Sequence, residues 1–153
     1  MNIVDQGFVS SDSSRDYTVK VEVTGLDADT YYYYEFSALE KNSLRGRTKT
    51  APSGAVDHLR FGVVSCSNYE AGYFNAYARL SERNDLDAIL HLGDYIYEYG
   101  TRVFGDSTIP RSVNSGETLT LAEYRARYSL YRLDPDLRRI HQQHPFIMIW
   151  DDH

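Results

Sequence analysis

A chain of 153 residues has room for one domain of ordinary size, or for a small domain and part of a second. Its 42% hydrophobic and 25% charged residues are the balance of a globular protein. A net charge of −6 leaves no basic stripe to meet phosphates, so no nucleic-acid-binding surface is expected. No apolar run is long enough for a transmembrane segment.

The first stretch, up to about residue 15, is polar and rich in Ser and Asp, without a period. Its opening residues lack a basic region followed by an apolar one, so no signal peptide is visible. From Tyr17 to Thr24 apolar and polar residues alternate, with Tyr17, Val19, Val21 and Val23 on one face, which predicts a half-buried strand. Gly25 to Thr30 reads as a turn and Tyr31 to Ala38 as a second strand, with Tyr32, Tyr34, Phe36 and Ala38 facing one way. Lys41-Asn42 reads as a turn and Leu44 to Thr50 as a third strand. Ala51 to Gly54 is a linker. The pattern Gly25-Leu26, Thr30, Tyr32, Tyr34 resembles the tyrosine corner of fibronectin III-like and immunoglobulin-like sandwiches, although Ala28 stands where a proline is common there. Such a sandwich needs about seven strands, so residues 1–54 are expected to be the C-terminal portion of one.

The second part, residues 55–153, alternates strands with helices and predicts a mainly parallel sheet. Leu59 to Ser65 is the first strand. A helix follows over Tyr73 to Arg83, with Phe74, Tyr77, Ala78 and Leu80-Ser81 near one face. Leu86 to Leu92 is the second strand. Residues 100–117 form an irregular loop, long enough to suggest a functional segment or a lid. Thr120-Leu121-Ala122-Glu123 is a capping box, and the helix behind it carries a stripe of Leu121, Tyr124, Tyr128 and Tyr131 that suits core or interface packing. Asp134-Pro135 opens another helix as N-cap and first helical residue. Pro145 to Trp150 reads as a buried strand, and the chain stops soon after it at Asp151-Asp152-His153, the pattern of a fragment.

Cys66 follows the first strand of this part, Asp94 and Tyr97 the second, and Asp151, Asp152 and His153 the third. In a parallel sheet these tips share one edge, where open α/β folds bind ligands. Carboxylate and phenolate suit a hard trivalent ion, a thiolate adds charge, and oxygen donors beside them suit a divalent one. Cys66 is the sole cysteine, so no intrachain disulfide forms. Its presence fits a reducing compartment or a secreted protein whose thiol has another task. No nucleophile elbow, dinucleotide fingerprint or P-loop is present.

Gly93-Asp94-x-x-Tyr97 resembles the Gly-Asp-x-x-Tyr block of iron-containing metallophosphatases. Ser65-Cys66-Ser67 stands where that superfamily has Asp-x-His or Asp-x-Gly, and Asp151-Asp152-His153 where it has Gly-Asn-His. With the runs His91 to Glu98 and Trp150 to His153, the chain resembles the alkaline phosphatase D (PhoD-like) family from about residue 16 onward. The resemblance implies a sandwich domain followed by the N-terminal α/β portion of a calcineurin-like metallophosphatase domain. It implies Fe3+ held by Cys66, Asp94 and Tyr97, with Asp94 bridging to Ca2+, Asp152 as a ligand of the second metal, and His153 assisting at the phosphate oxygens. It further implies a secreted or periplasmic enzyme that hydrolyses phosphate mono- or diesters by attack of a metal-bound hydroxide. A 153-residue fragment is expected to be inactive and, with an uncovered sheet edge, to self-associate. A purple acid phosphatase relative shares Gly-Asp-x-x-Tyr, but Cys66 and Asp151-Asp152 depart from it. A non-catalytic binding module is the other alternative.

Overall fold

The computed structural model describes residues 2–153. In its first part, β1 (Tyr31–Tyr34) pairs antiparallel with β4 (Gly46–Lys49), and β2 (Ser37–Ala38) with β3 (Lys41–Asn42). The Tyr32 hydroxyl accepts the Asp27 N–H at 2.9 Å, across the turn that precedes β1. Lys41-Asn42 is a strand and not a turn. The reversal falls one step earlier, at Leu39 and Glu40, whose φ angles are +49° and +61°. Two successive positive φ values match the right-handed twist of the flanking strands, but a Leu-Glu pair carries none of the Gly or Asn that would announce them.

The strand expected over residues 17–24 does not form. A strand needs a neighbour to take its backbone hydrogen bonds, and among the described residues none lies in register beside this segment. Val19, Val21 and Val23 stay well exposed. A short 3-10 turn, Ser13–Arg15, precedes it, with the Asp12 carboxylate accepting the Ser14 N–H at 2.8 Å.

The second part is a three-stranded parallel sheet in the order β5 (Phe61–Val64), β6 (Ala88–His91), β7 (Phe146–Met148). Helix α1 (Asn75–Ser81) lies between β5 and β6, and α2 (Leu121–Arg132) and α3 (Pro135–Gln143) lie between β6 and β7. Side chains alternate across a strand, so Ile89 and His91 of β6 point together into the core. There Phe74 and Tyr77 at α1, Leu137 and Ile140 of α3, and Tyr131 of α2 are buried with Ile89. Both expected helix starts are present. Thr120 and Glu123 form a reciprocal capping box, and the Asp134 carboxylate accepts the N–H groups of Asp136 and Leu137 at 2.9 and 3.0 Å.

Two burial expectations are overturned. In α2 the stripe does not pack as a unit: Leu121, Tyr124 and Tyr128 are exposed, while Tyr131 and Arg127 are buried. Strand β7 is not buried either. Among the described residues it pairs with β6 alone; Ile147, and Ile149 and Trp150 just past the strand, are exposed, while Phe146 stacks on His141 with ring centroids 3.8 Å apart.

The 100–117 loop is pinned at several points. The buried Glu70 carboxylate accepts the N–H groups of Arg102 at 2.6 Å and Val113 at 2.7 Å. Burial alone would raise this carboxyl, but those backbone donors outweigh it and hold it below the ordinary range. The two parts of the chain meet through Lys49, whose ammonium lies 2.6 Å from Asp29 and 2.7 Å from Asp87, and through Arg47, whose Nε donates to the Gln143 carbonyl at 3.1 Å.

Candidate metal centre

The tips of β5 and β6 turn sharply in the same way. Cys66 and Asp94 both have left-handed backbones, φ +57° and +50°, and Gly93 between β6 and Asp94 has φ +118°. Left-handed non-glycine residues cost on the order of 1–3 kcal/mol and cluster where function holds them. Here the surroundings hold them by lacing the two tips together. The Cys66 N–H donates to the Gly93 carbonyl at 3.2 Å and the Ser67 N–H to the Asp94 carbonyl at 2.8 Å.

His91 braces this turn from below. Its Nδ1 accepts the Gly93 N–H at 3.3 Å, and its Nε2 lies 3.1 Å from the Tyr77 hydroxyl and 3.4 Å from Ser67 Oγ. Ser67 and Tyr77 are hydrogen-bonded to each other. Burial lowers the His91 pKa, with the Asp94 charge acting the other way. The ring is therefore a neutral strut between the two loops.

Asp94 is the hub, and its carboxylate is buried. Oδ2 accepts from the Tyr97 hydroxyl at 3.2 Å and lies 3.6 Å from Cys66 Sγ. Oδ1 accepts the His153 backbone N–H at 3.3 Å. Asp94, Asp152 and His153 each offer a ligand atom, all within 4.8 Å of one another. The His153 ring packs on that of Tyr97 with centroids 4.5 Å apart. Cys66, Asp94, Tyr97, Asp152 and His153, singled out in the sequence, thus come together at one sheet edge. Asp151 instead packs against Gly93.

Two neighbours escaped the sequence reading. Glu98 accepts from His153 Nδ1 with its two oxygens at 3.1 and 3.0 Å, and the Tyr99 hydroxyl lies 3.3 Å from Nε2. Both sit in the same tyrosine-rich run as Asp94. That run is irregular and has no period, so nothing in its spacing says which side chain turns toward a residue 55 positions away.

Electrostatics at the site follow from this crowding of acids. Burial, then the Cys66 thiol and the Asp94 carboxylate, raise the Tyr97 phenol far above its ordinary value. Only a nearby positive charge would draw off its proton. Burial acts to lower the His153 imidazole, but the Glu98 hydrogen bond and the charges of Glu98, Asp152 and Asp94 outweigh it, and its pKa is raised. Adjacent donors on an octahedral cation with bonds of about 2.0–2.1 Å lie about 3 Å apart. The Tyr97–Asp94 and Cys66–Asp94 separations of 3.2 and 3.6 Å are close to that spacing. A carboxylate, a phenol and a thiol in mutual contact, with a second carboxylate and an imidazole beside them, form a donor set that fits a hard cation.

Fold and cluster together define a parallel α/β unit with acidic donors gathered at its strand tips. The family model for "PhoD-like phosphatase" matches residues 61–153, and that for "PhoD-like phosphatase, N-terminal domain" matches residues 1–52. The chain belongs to the PhoD-like phosphatase family. It is 40% identical over 154 residues to alkaline phosphatase D of Bacillus subtilis (strain 168), covering 99% of this chain and 26% of that protein. A solved structure of PhoD superposes with a TM-score of 0.86 at 40% identity, over 92% of this chain and 27% of that one. The chain therefore spans about a quarter of the length of these relatives. Among the described residues no helix is long and apolar enough to cross a membrane.

Proposed function

We propose that the intact protein carrying this chain is a secreted, metal-dependent phosphoric ester hydrolase acting on phosphate mono- or diesters. Residues 1–54 would be part of its sandwich domain, and 55–153 the first part of a calcineurin-like catalytic domain. In this reading Cys66, Asp94 and Tyr97 would hold a ferric ion, and Asp94 and Asp152 would serve a calcium ion. The observation that carries it is the Asp94 carboxylate, with one oxygen toward Cys66 and Tyr97 and the other toward the Asp152-His153 segment. Two cations sharing such a carboxylate would neutralise phosphate oxygens and activate water.

The chain's own residues supply the rest. Glu98 takes the Nδ1 hydrogen bond of His153 and fixes the ring's direction. The Glu98 charge favours a protonated ring, which would suit a donor to a phosphate oxygen. Tyr99 stands beside Nε2 and would limit the ring's swing. Since the chain spans 26% of its relative, the 153 residues alone are proposed to be inactive.

The test uses the intact protein. A visible tyrosinate-to-iron absorption should be present and should vanish in Tyr97→Phe, and phosphoesterase activity should fall on chelation. A colourless, metal-free protein without esterase activity would overturn the proposal and favour a binding module.

A further inference from the structure

Tyr97 has both of its backbone polar groups held by side chains of one helix. Its N–H donates to the Tyr131 hydroxyl at 3.3 Å, and its carbonyl accepts from Arg127 Nη1. Arg127 and Tyr131 are four residues apart on α2 and so share one face of it. Neither stays at Tyr97 alone. Arg127 also donates to the Tyr99 carbonyl at 2.9 Å, to Ser115 Oγ at 2.9 Å and to the Gly116 carbonyl at 3.3 Å. The Tyr131 hydroxyl also accepts the Tyr69 N–H at 3.1 Å, three residues past Cys66. The two side chains are 3% and 1% exposed.

This is a costly use of a charged side chain. A buried guanidinium must recover its lost hydration from its partners, and the four named here are neutral oxygens. What the arrangement gains is definition. Residues 97 to 99 lie outside helix and strand, so neither kind of regular hydrogen bonding sets their backbone. A phenol on such a segment is placed only as well as its backbone is placed, and a binding site needs its donors held to about half an ångström.

We propose that Arg127 and Tyr131 are positioning residues for the Tyr97 phenol. From α2 they clamp its backbone on both sides, and Tyr131 ties the loop after Cys66 to the same point, so that thiol, carboxylate and phenol stay in register. The clamp is a property of this chain. Its consequence for a cation rests on the function proposed above.

The test compares the intact protein with Tyr131→Phe, Arg127→Lys and, as a control on the exposed side of the same helix, Tyr124→Phe. In metal-free protein, amide hydrogen exchange at Tyr97 and Tyr69 should quicken about tenfold or more in Tyr131→Phe, with the α3 amides unchanged. With ferric iron added, both clamp variants should bind about 10–100-fold more weakly and shift the tyrosinate absorption, and Tyr124→Phe should match the parent. Unchanged exchange at Tyr97 in Tyr131→Phe would overturn the clamp, and so would unchanged iron affinity and absorption in both variants. A parent protein that takes up no ferric iron would overturn the metal reading alone, because exchange decides the clamp without any ion. Tyr131→Phe removes one oxygen and keeps the ring, so it decides the matter even if Arg127→Lys does not fold.

Discussion

A Cβ placed on Gly93 would lie 2.5 Å from the Asp151 Cβ and 2.6 Å from the Asp151 backbone nitrogen. The tip of β6 and the segment after β7 thus touch backbone to backbone at the one point where φ is +118°. Only glycine adopts that angle without strain, and only glycine leaves Asp151 where it is. Gly93→Ala is expected to cost roughly 1–3 kcal/mol in backbone strain and to push Asp151, and with it Asp152 and His153, away from Asp94. Under the proposed function, urea unfolding and metal retention of the intact protein should both report it, the second more steeply than the first. A variant with parental metal affinity would show that the close approach does not set the site.

The buried pair Arg111–Asp134, 2.9 Å apart, gives a prediction about stability alone. Arg111 Nη1 also donates to the Gly72 carbonyl at 2.8 Å, and its guanidinium lies 3.7 Å from the Tyr69 ring centroid. Arg111→Met should cost about 3–5 kcal/mol, because it strands a buried carboxylate. Adding Asp134→Asn should recover part of that loss. The amide keeps an oxygen for the two N–H groups at the start of α3 and removes the uncompensated charge. The exposed pair Arg79–Glu82 is the control, and its removal should barely move the unfolding midpoint.

Much of this was legible in the sequence because it was local or periodic. The β6 run, the caps at Thr120 and Asp134, and the donors at three strand tips each follow from residues close together in the chain. The parallel order then brings those tips to one edge. What was not legible depended on neighbours that the chain does not name. Val19, Val21 and Val23 alternate as a strand should, yet a period says nothing about whether a partner strand lies alongside. Pro145 to Trp150 is apolar enough for a central strand, but among the described residues only β6 lies beside it, and a run's composition does not say how many neighbours it has. Tyr131 and Tyr124 look alike in a helical stripe, and only the core decides that one is buried and the other is not. Glu98 could not be matched to His153 because the run between Asp94 and Gly100 has no regular geometry to project from.

Acid should destabilise the fold through His141. Its Nε2 accepts the Tyr95 hydroxyl at 2.8 Å and its ring stacks on Phe146. Burial first, then the Arg132 charge and, once acid protonates it, the His91 ring, push its pKa down to about 3. Since the folded value is below the unfolded one, the unfolded state takes up the proton first as pH falls. Stability is full above about 6.5 and is lost progressively toward 3. The slope is at most about 1.4 kcal/mol per pH unit from this group. His141→Gln keeps an acceptor for Tyr95 and removes the titration, so urea midpoints between pH 6.5 and 4 should flatten in that variant. An unchanged slope would assign the acid sensitivity to His91 and His144, which burial also lowers.

Glu98 offers the sharpest separation of fold from function. It faces solvent in part and makes its hydrogen bonds to His153 Nδ1 through both carboxylate oxygens. Glu98→Gln keeps the shape and one accepting oxygen but loses the charge that steadies a protonated ring. Charge-assisted hydrogen bonds are roughly twice as strong as neutral ones, and partners that orient a site residue are typically worth 10–100-fold in activity or metal affinity. Under the proposed function, kcat of the intact protein toward a phosphate ester should fall by about that factor. The unfolding midpoint should move less than kcat does, because the substitution keeps the side chain's shape and one accepting oxygen for His153 Nδ1. Retained metal with reduced kcat would place Glu98 behind His153 at the phosphate. Lost metal would instead make His153 a ligand, which its position within 4.8 Å of Asp94 and Asp152 also permits. Unchanged kcat and unchanged metal would leave the Glu98–His153 contact without a part in the reaction.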